Sequence, residues 1–385
     1  IEACGELKDM QAGQEIHELI ASNGLLKGDL FLGSSLITMY AECGCISRGE
    51  EVFDSYSPVR DTVIWNALIT AYVNCGFDAN ALACFEKMQV ENTSPNDVTF
   101  LSILKACGLL RALEKGQEIH AQIKKGGFLR ENNGVGAALV DMYVKCGLLE
   151  RAQAVFDELP HWDVVSWTSL IAGYAEHGHC DEALKCFEWL ELKGLFLDLV
   201  TFVCMLKVCA SIRLANKGQE LHTKIVREGV LDKDTVIGTA LVDMYAICGM
   251  LLDAQKVFDM LPVRDVVSWN TLISAYTQHE QGEAALTCFE KMHTDKISPN
   301  VITFICILRA CGSVGAIYKG KQLHNDIISK GWLEKHIALG NALVNMYAKC
   351  GELGKAHEMF EELLVRDAIS WNVLMTGYVQ QGQGR

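Results

Sequence analysis

The residues of this 385-residue chain best suited to chemistry are sixteen cysteines and eleven histidines, and their spacing decides what they do. A zinc site or dithiol centre brings cysteines together in units such as Cys-x-x-Cys. No such unit occurs. Instead, thirteen of the sixteen recur in register: Cys4, Cys107, Cys209 and Cys311; Cys43, Cys146, Cys248 and Cys350; Cys84, Cys186 and Cys288; Cys204 and Cys306. A thiol placed once per structural unit reads as a small, soft packing group, and the pattern fits a reducing compartment. His17, His120, His222 and His324 recur the same way and read as packed or surface residues, not ligands. "HGHC" at His177–Cys180 occurs once, without a second ligand pair. "GAIYKGKQ" at Gly315–Gln322 follows a phosphate-binding loop until Gln322 stands where Ser or Thr belongs. Nothing here assembles a nucleophile with its base, a metal site or a cofactor site. The expectation is a chain that is no enzyme, holds no cofactor or metal and takes no small-molecule substrate.

A second set of polar residues is tied to a repeated phrase. "RDVVSWNTLISAY" at Arg264–Tyr276 has copies beginning at Arg60, Trp162 and Arg366. The residue after its tryptophan is small and polar each time: Asn66, Thr168, Asn270 and Asn372. On a helix that residue lies about 100° off the tryptophan stripe, facing away from the helix–helix seam and free to vary. Such side chains donate and accept hydrogen bonds.

These residues must be positioned by repeating elements. Trp65, Trp167, Trp269 and Trp371 are 102 residues apart, and Thr99, Thr201 and Thr303 keep that spacing. A fixed period overrides the two or three globular domains that length alone suggests. Within one period, Trp269, Leu272, Ile273 and Tyr276 form one helical stripe, and Ala285, Cys288, Phe289 and Met292 form another. "QHEQG" turns between them, and "SPN" ends the second helix because proline cannot continue the ladder. One hairpin cannot bury both stripes, so hairpins must stack. Half the residues are apolar and only five are proline, but no apolar run approaches the roughly 18 residues of a membrane span. No membrane partner is expected. The opening "IEACGELKDM" matches the middle of a later unit, so the chain reads as an excerpt with any address segment elsewhere.

The hairpin with "WNxLI" and a "PN" or "PD" ending resembles the pentatricopeptide repeat family. The alternation of "ALVDMYxxCG", the tryptophan phrase and "ACG…KGQEIH" resembles its plant-type PLS subclass of short, medium and long repeats. The resemblance implies an all-α fold, a right-handed α-solenoid of stacked helix-turn-helix hairpins in one array over 1–385. A partial long repeat covers 1–29. Short repeats follow at 30–61, 133–163, 235–265 and 337–367; medium ones at 62–96, 164–198 and 266–300; long ones at 97–132, 199–234 and 301–336. A partial medium repeat closes the array at 368–385.

In that family the fifth residue and the last residue of a repeat together read one base of single-stranded RNA. The pairs carried over are Ser34 with Asp61, Asn66 with Asn96, Thr168 with Asp198, Thr239 with Asp265, Asn270 with Asn300 and Asn341 with Asp367. Val63, Val165 and Val267 would wedge between bases, and Lys145 and Lys349 would touch phosphate. Asp and Asn at these places also suit helix capping, and Asp61, Asp163, Asp265 and Asp367 can serve both ends. Long repeats carry Leu101, Val203 and Ile305, and one short repeat carries Ala137, none able to read a base edge.

The resemblance further implies a transcript-recognition role in mitochondrion or chloroplast, as in C-to-U RNA editing, with catalysis from a deaminase partner or a further C-terminal domain. The H-x-E and P-C-x-x-C elements of such a deaminase are absent from these residues. The formal charge of −14 runs against a nucleic-acid binder and favours the rival reading, a protein-binding scaffold.

Overall fold

The computed structural model describes residues 1–26, 29–56, 60–131, 133–195, 197–231 and 234–381. Among them lie 24 α-helices and no strand, the all-α stack of hairpins of a solenoid. No helix among them is long and apolar enough to cross a membrane. The chain forms two compact units, Ile1–Thr201 and Phe202–Arg385.

In the first unit, helices Leu30–Glu42, Thr62–Asn74, Asp97–Leu110, Asn133–Lys145 and Val164–Glu176 pack side by side in chain order. In the second, Thr235–Ile247, Val266–Gln278, Val301–Val314, Ile337–Lys349 and Ala368–Gln380 do the same. Each of these first helices up to Ile337–Lys349 is followed by a second helix that folds back on it, as Gly282–Thr294 does on Val266–Gln278. Most first helices start where the chain offers a side-chain cap. Asp29, Asp61, Asn96, Asp163, Asp234, Asp265, Asn300 and Asp367 all accept backbone N–H bonds there. Ile337–Lys349 starts after His336 without one. Apart from Met10–Ser22, which Asp9 caps, the second helices whose caps are described begin without one, so packing must hold them.

Packing follows the period. Trp65, Trp167 and Trp269 are buried edge-on against Phe53, Phe156 and Phe258 of the preceding second helix, with centroids 4.7, 4.5 and 4.6 Å apart. Trp371 meets Phe360 at 4.6 Å and stays half exposed. The matching turn of the hairpins with short second helices carries glycine. A Cβ on Gly136, Gly238 or Gly340 would lie 2.4, 2.2 or 2.3 Å from Leu159, Leu261 or Leu363. A leucine fills there what tryptophan fills elsewhere, and the second helix, Leu251–Met260, has 10 residues against 13 in Gly282–Thr294. None of the sixteen cysteines is in a disulfide, and all are buried or half-buried.

The repeating histidines couple neighbouring hairpins. Nδ1 of His17, His120, His222 and His324 lies 2.7, 2.9, 2.9 and 2.8 Å from the hydroxyl of Tyr40, Tyr143, Tyr245 and Tyr347. Burial holds each imidazole below its ordinary pKa, and Nε2 of His120, His222 and His324 is buried with no partner.

Two outcomes test this packing. Trp269→Ala should cost about 3–5 kcal/mol, with hydrogen exchange quickening around 266–300. Trp269→Phe should cost much less, because the indole N–H bonds to nothing. Equal losses would show that volume at the seam is not what the tryptophan supplies. For the histidines, a folded-state pKa below the unfolded value of about 6.5 means the unfolded chain binds more protons. That contribution is complete above the unfolded pKa and is lost as pH falls through it. The melting temperature should therefore drop between pH 7.5 and 5.5, and drop less in His222→Gln. Equal drops in both proteins would exclude His222 as a contributor.

Candidate functional site

The candidate residues meet where one first helix ends its first turn and the next begins. Asn66 donates from Nδ2 to Oδ1 of Asn96 at 2.8 Å, and Asn270 does the same to Asn300 at 3.1 Å. The cap oxygen also accepts the backbone N–H of Thr99 or Thr303, three residues into the next helix. That threonine closes the constellation: its hydroxyl donates at 2.6 Å to Oδ1 of Asn66 or Asn270. Thr168 makes the analogous contact with a hydroxyl, 2.6 Å from Thr201 Oγ1, and lies 3.4 Å from both oxygens of Asp198. Asp198 is held by Thr201 N and Oγ1, each at 2.7 Å to Oδ1.

Burial differs from the expectation. Asn66, Thr168, Asn270 and Asn341 are 8, 7, 8 and 7% exposed, so they do not face open space. The side chain leaves its own helix toward the next one, and the cap of that helix covers it. In every such pair the last residue caps a helix and also touches the fifth residue, so capping and side-chain pairing are not alternatives.

The remaining pairs are looser. Asn341 Nδ2 reaches Asp367 Oδ1 at 3.4 Å, and its own Oδ1 is buried without a partner. Ser370, not Asn341, is the close partner of Asp367: its backbone N–H and then its hydroxyl hold that carboxyl below the usual range. Thr239 donates to the Thr235 carbonyl at 2.9 Å and Ser34 to the Phe31 carbonyl at 2.9 Å, so neither bonds to Asp265 or Asp61. Here the helix's own carbonyl outcompetes the cap. Asp61 instead accepts from Val63 N and Ile64 N, and Asp163 and Asp265 close boxes with Ser166 and Ser268. Ala137 is buried, and Leu101, Val203 and Ile305 are half-buried.

Val63, Val165 and Val267 are exposed at the second position of their helices. Sequence reasoning missed that Phe31, Val98, Val200, Val236, Ile302 and Ile369 are exposed at the same position. The signal was present: an apolar residue beside a cap, off the buried stripe. Lys145 is half-buried in an ion pair with Asp141 at 2.7 Å, while Lys349 is exposed.

Other candidates resolve into packing. Gly320 of "GAIYKGKQ" lies inside the helix Ile317–Ser329, where a Cβ would come within 2.5 Å of Met346 Sδ, so the motif is no phosphate loop. His177 of "HGHC" bonds to the Gly173 carbonyl, and among the described residues no three His, Cys, Asp or Glu are grouped to hold a metal. A cleft of about 410 Å³ is lined by Phe156, Trp162, Trp167 and Trp189. Trp162 stands where other copies have Arg60 and Arg264. Those arginines donate to the carbonyls of Phe53 and Phe258 and pair with Glu91 and Asp295. Trp162 donates its indole N–H to the Phe156 carbonyl at 3.1 Å, and Lys193 replaces the acid, with its ammonium 5.7 Å from the Trp162 ring centroid. An ion pair has been exchanged for a cation–π pair, which accounts for the aromatic wall as structure.

A family description of the PPR repeat family matches residues 60–108, 162–211 and 264–313, and one of the PPR repeat matches 138–164, 239–266, 341–367 and 369–385. The chain is 33% identical over 385 residues to pentatricopeptide repeat-containing protein At2g03380, mitochondrial, of Arabidopsis thaliana, covering 99% of this chain and 55% of that one. It is 32% identical over 379 residues to At4g18520, chloroplastic, of the same plant, covering 98% and 60%. The chain thus spans about half the length of the curated relatives it matches. Among solved structures, the pentatricopeptide repeat protein PPR10 of maize in complex with an 18-nt psaJ RNA element superposes with a TM-score of 0.78. That match covers 94% of this chain and 55% of the other at 16% identity, a likeness of fold.

The bridging threonine is the testable hinge of the site. Thr303→Val keeps the shape and deletes the hydroxyl, leaving Asn270 Oδ1 buried without its donor; it should cost about 1–3 kcal/mol. Thr303→Ser should retain most of that. A Val variant as stable as wild type in denaturant melts would show that the bridge contributes nothing.

Proposed function

The chain belongs to the pentatricopeptide repeat family, and from that premise we propose that it binds single-stranded RNA sequence-specifically, one base to each repeat. The repeats are those bounded above, of the PLS subclass. The readout pairs are Ser34 and Asp61, Asn66 and Asn96, Thr168 and Asp198, Thr239 and Asp265, Asn270 and Asn300, and Asn341 and Asp367. The observation that carries this reading is the direct bond between fifth residue and cap, 2.8 Å in one medium repeat and 3.1 Å in another. Two side chains held together address one base edge with little further loss of freedom.

Hydrogen-bond inventory supports the base assignments. In the Asn66–Asn96 and Asn270–Asn300 pairs both carbonyl oxygens are occupied, so the groups left over are N–H donors. Donors suit the acceptor edge of cytosine. Asp198 keeps Oδ2 with only long contacts to Thr168, an acceptor suited to the N–H groups of guanine. Asp367, whose Oδ1 is taken by Ser370, offers Oδ2 as an acceptor for the single imino N–H of uracil. With the family's rules, 30–367 reads G-Y-n-n-G-n-G-Y-n-U from the RNA 5′ end, where Y is pyrimidine and n undetermined. The exposed Val63, Val165 and Val267 wedge between bases, and Lys145 and Lys349 meet phosphate.

The biological setting is organellar: relatives are named as mitochondrial or chloroplastic proteins. The role is choosing a transcript site for C-to-U editing or other processing, with any deaminase supplied by a partner or by a further domain.

Asn300→Asp tests the code with the least disturbance. Oδ1 keeps capping Thr303, while a donor amide becomes an acceptor oxygen. Selection from a random RNA pool should shift the eighth position from C toward U, with discrimination changing by about 1–3 kcal/mol by analogy with base-edge contacts in DNA. An unchanged preference would remove this readout. Failure of the wild type to enrich any RNA would return the acidic chain to the scaffold reading.

A further inference from the structure

The long repeats have no base-reading residue, yet each carries a cation on the same helical stripe. Lys105, Lys207 and Arg309 recur every 102 residues, four positions after Leu101, Val203 and Ile305 and seven after Val98, Val200 and Ile302. Residues spaced i, i+3 and i+7 share one helix face, so the cation stands on the face of the exposed apolar residue and the fifth residue. All three cations are exposed, and among the described residues none makes an ion pair or hydrogen bond. The other periodic lysines, on second helices, are ion-paired: Lys115 with Glu86 at 2.9 Å, Lys217 with Glu220 at 3.1 Å and Lys319 with Glu290 at 3.4 Å. In a chain with 48 acidic against 34 basic residues, three unpaired cations, each at the same place on its own first helix, ask for an anion from outside.

We infer that Lys105, Lys207 and Arg309 are phosphate-binding residues: the long repeats grip the RNA backbone where they cannot read its bases. This rests on the RNA-binding reading above. Neighbouring charge ranks the three sites. Arg309 sits one turn before Gly312, on which the stem of Lys349 lies; a Cβ there would come within 3.3 Å of Lys349 Cδ. The matching turn of the next first helix holds Asn345, which is uncharged, where Asp141 stands in the earlier copy. Lys105 has the same arrangement, with Gly108 seating Lys145 at 3.0 Å, but Lys145 is paired to Asp141. Lys207 stands alone. Ala210 replaces the seating glycine, Ile247 replaces the second lysine, and Lys207 lies in the field of Asp243. Seat and cation are lost together, which marks the glycine as part of the site. Arg309 is therefore the strongest phosphate ligand and Lys207 the weakest.

The test uses the full chain and a short single-stranded RNA carrying the proposed base order, with dissociation constants measured across a salt series. Arg309→Gln should weaken binding and lower the slope of log Kd against log salt by about 0.7, the share of one single-strand phosphate. Base preference in pool selection and the melting temperature should stay as in wild type. Lys207→Gln should change the slope least, and Lys319→Gln not at all. If Arg309→Gln binds the RNA with the wild-type slope, the phosphate assignment fails while RNA binding stands. A changed base preference would overturn it too, by making Arg309 a base contact. If the wild type binds no RNA at low salt, both readings fall.

Discussion

Every first helix begins with four backbone N–H groups that have no partner inside the helix, and the array is organised around satisfying them. The cap belongs to the residue that ends the preceding repeat, which brings it beside the fifth residue of that repeat's own first helix. A local requirement of helix ends thus becomes a contact between neighbours. Asn300 illustrates it: one oxygen accepts from Thr303 N and from Asn270 Nδ2, while the Thr303 hydroxyl donates to Asn270. Removing the cap would free a helix start and a candidate readout side chain at once. The fifth residue is rigid because stability demands it, and rigidity is what a base-reading pair needs.

The same logic explains why the period is 102 residues and not one hairpin. Three distinct junctions alternate. A His–Tyr bond makes one junction between neighbouring hairpins, as His222 meets Tyr245. A Phe–Trp edge makes the next, as Phe258 meets Trp269. The Asn–Thr bridge makes the third, as Asn270 meets Thr303. None of these surfaces fits another's partner. A glycine such as Gly238 admits Leu261 where the hairpin of Val266–Gln278 holds Trp269, so a hairpin moved out of order would meet either a void or a clash.

Much of this was legible beforehand, because periodic spacing reports packing directly. Trp269, Phe289 and Cys288 lie in the core as their stripes required, and the Asp and Asn caps stand at helix starts. What escaped the sequence depends on competition between equal partners. Thr168 and Thr239 hold the same position in their helices, yet one bridges to Thr201 and the other bonds back to Thr235. At the third residue of the next helix, Thr201 bonds to both Thr168 and Asp198, whereas Ser268 accepts from and donates to the backbone of its own cap residue, Asp265. Nor did one-letter comparison reveal that Trp162 and Lys193 are a single exchange, since each looks like an isolated loss of the arginine and acid of other copies. Only their position over one another, with Phe156 beneath, shows the pair.

Net charge illustrates how a global quantity misleads about a local surface. In the second unit the first helices from Thr235 to Gln380 carry one acid, Asp243, against Arg309 and Lys349. Their second helices carry most of the acid: Asp253 and Asp259 in one, Glu358, Glu361 and Glu362 in another. Mobile ions screen exposed charges within about 8–10 Å at physiological salt, less than the thickness of a hairpin of two packed helices. An anion at the first-helix face therefore feels the row nearest to it. In the first unit Glu42, Asp97, Asp141 and Glu176 stand on first helices against Lys105 and Lys145, so that face is less favourable to an anion. The acidic total and a cationic patch are compatible because the fold sorts them onto different helices, and it sorts them more fully in the second unit than in the first.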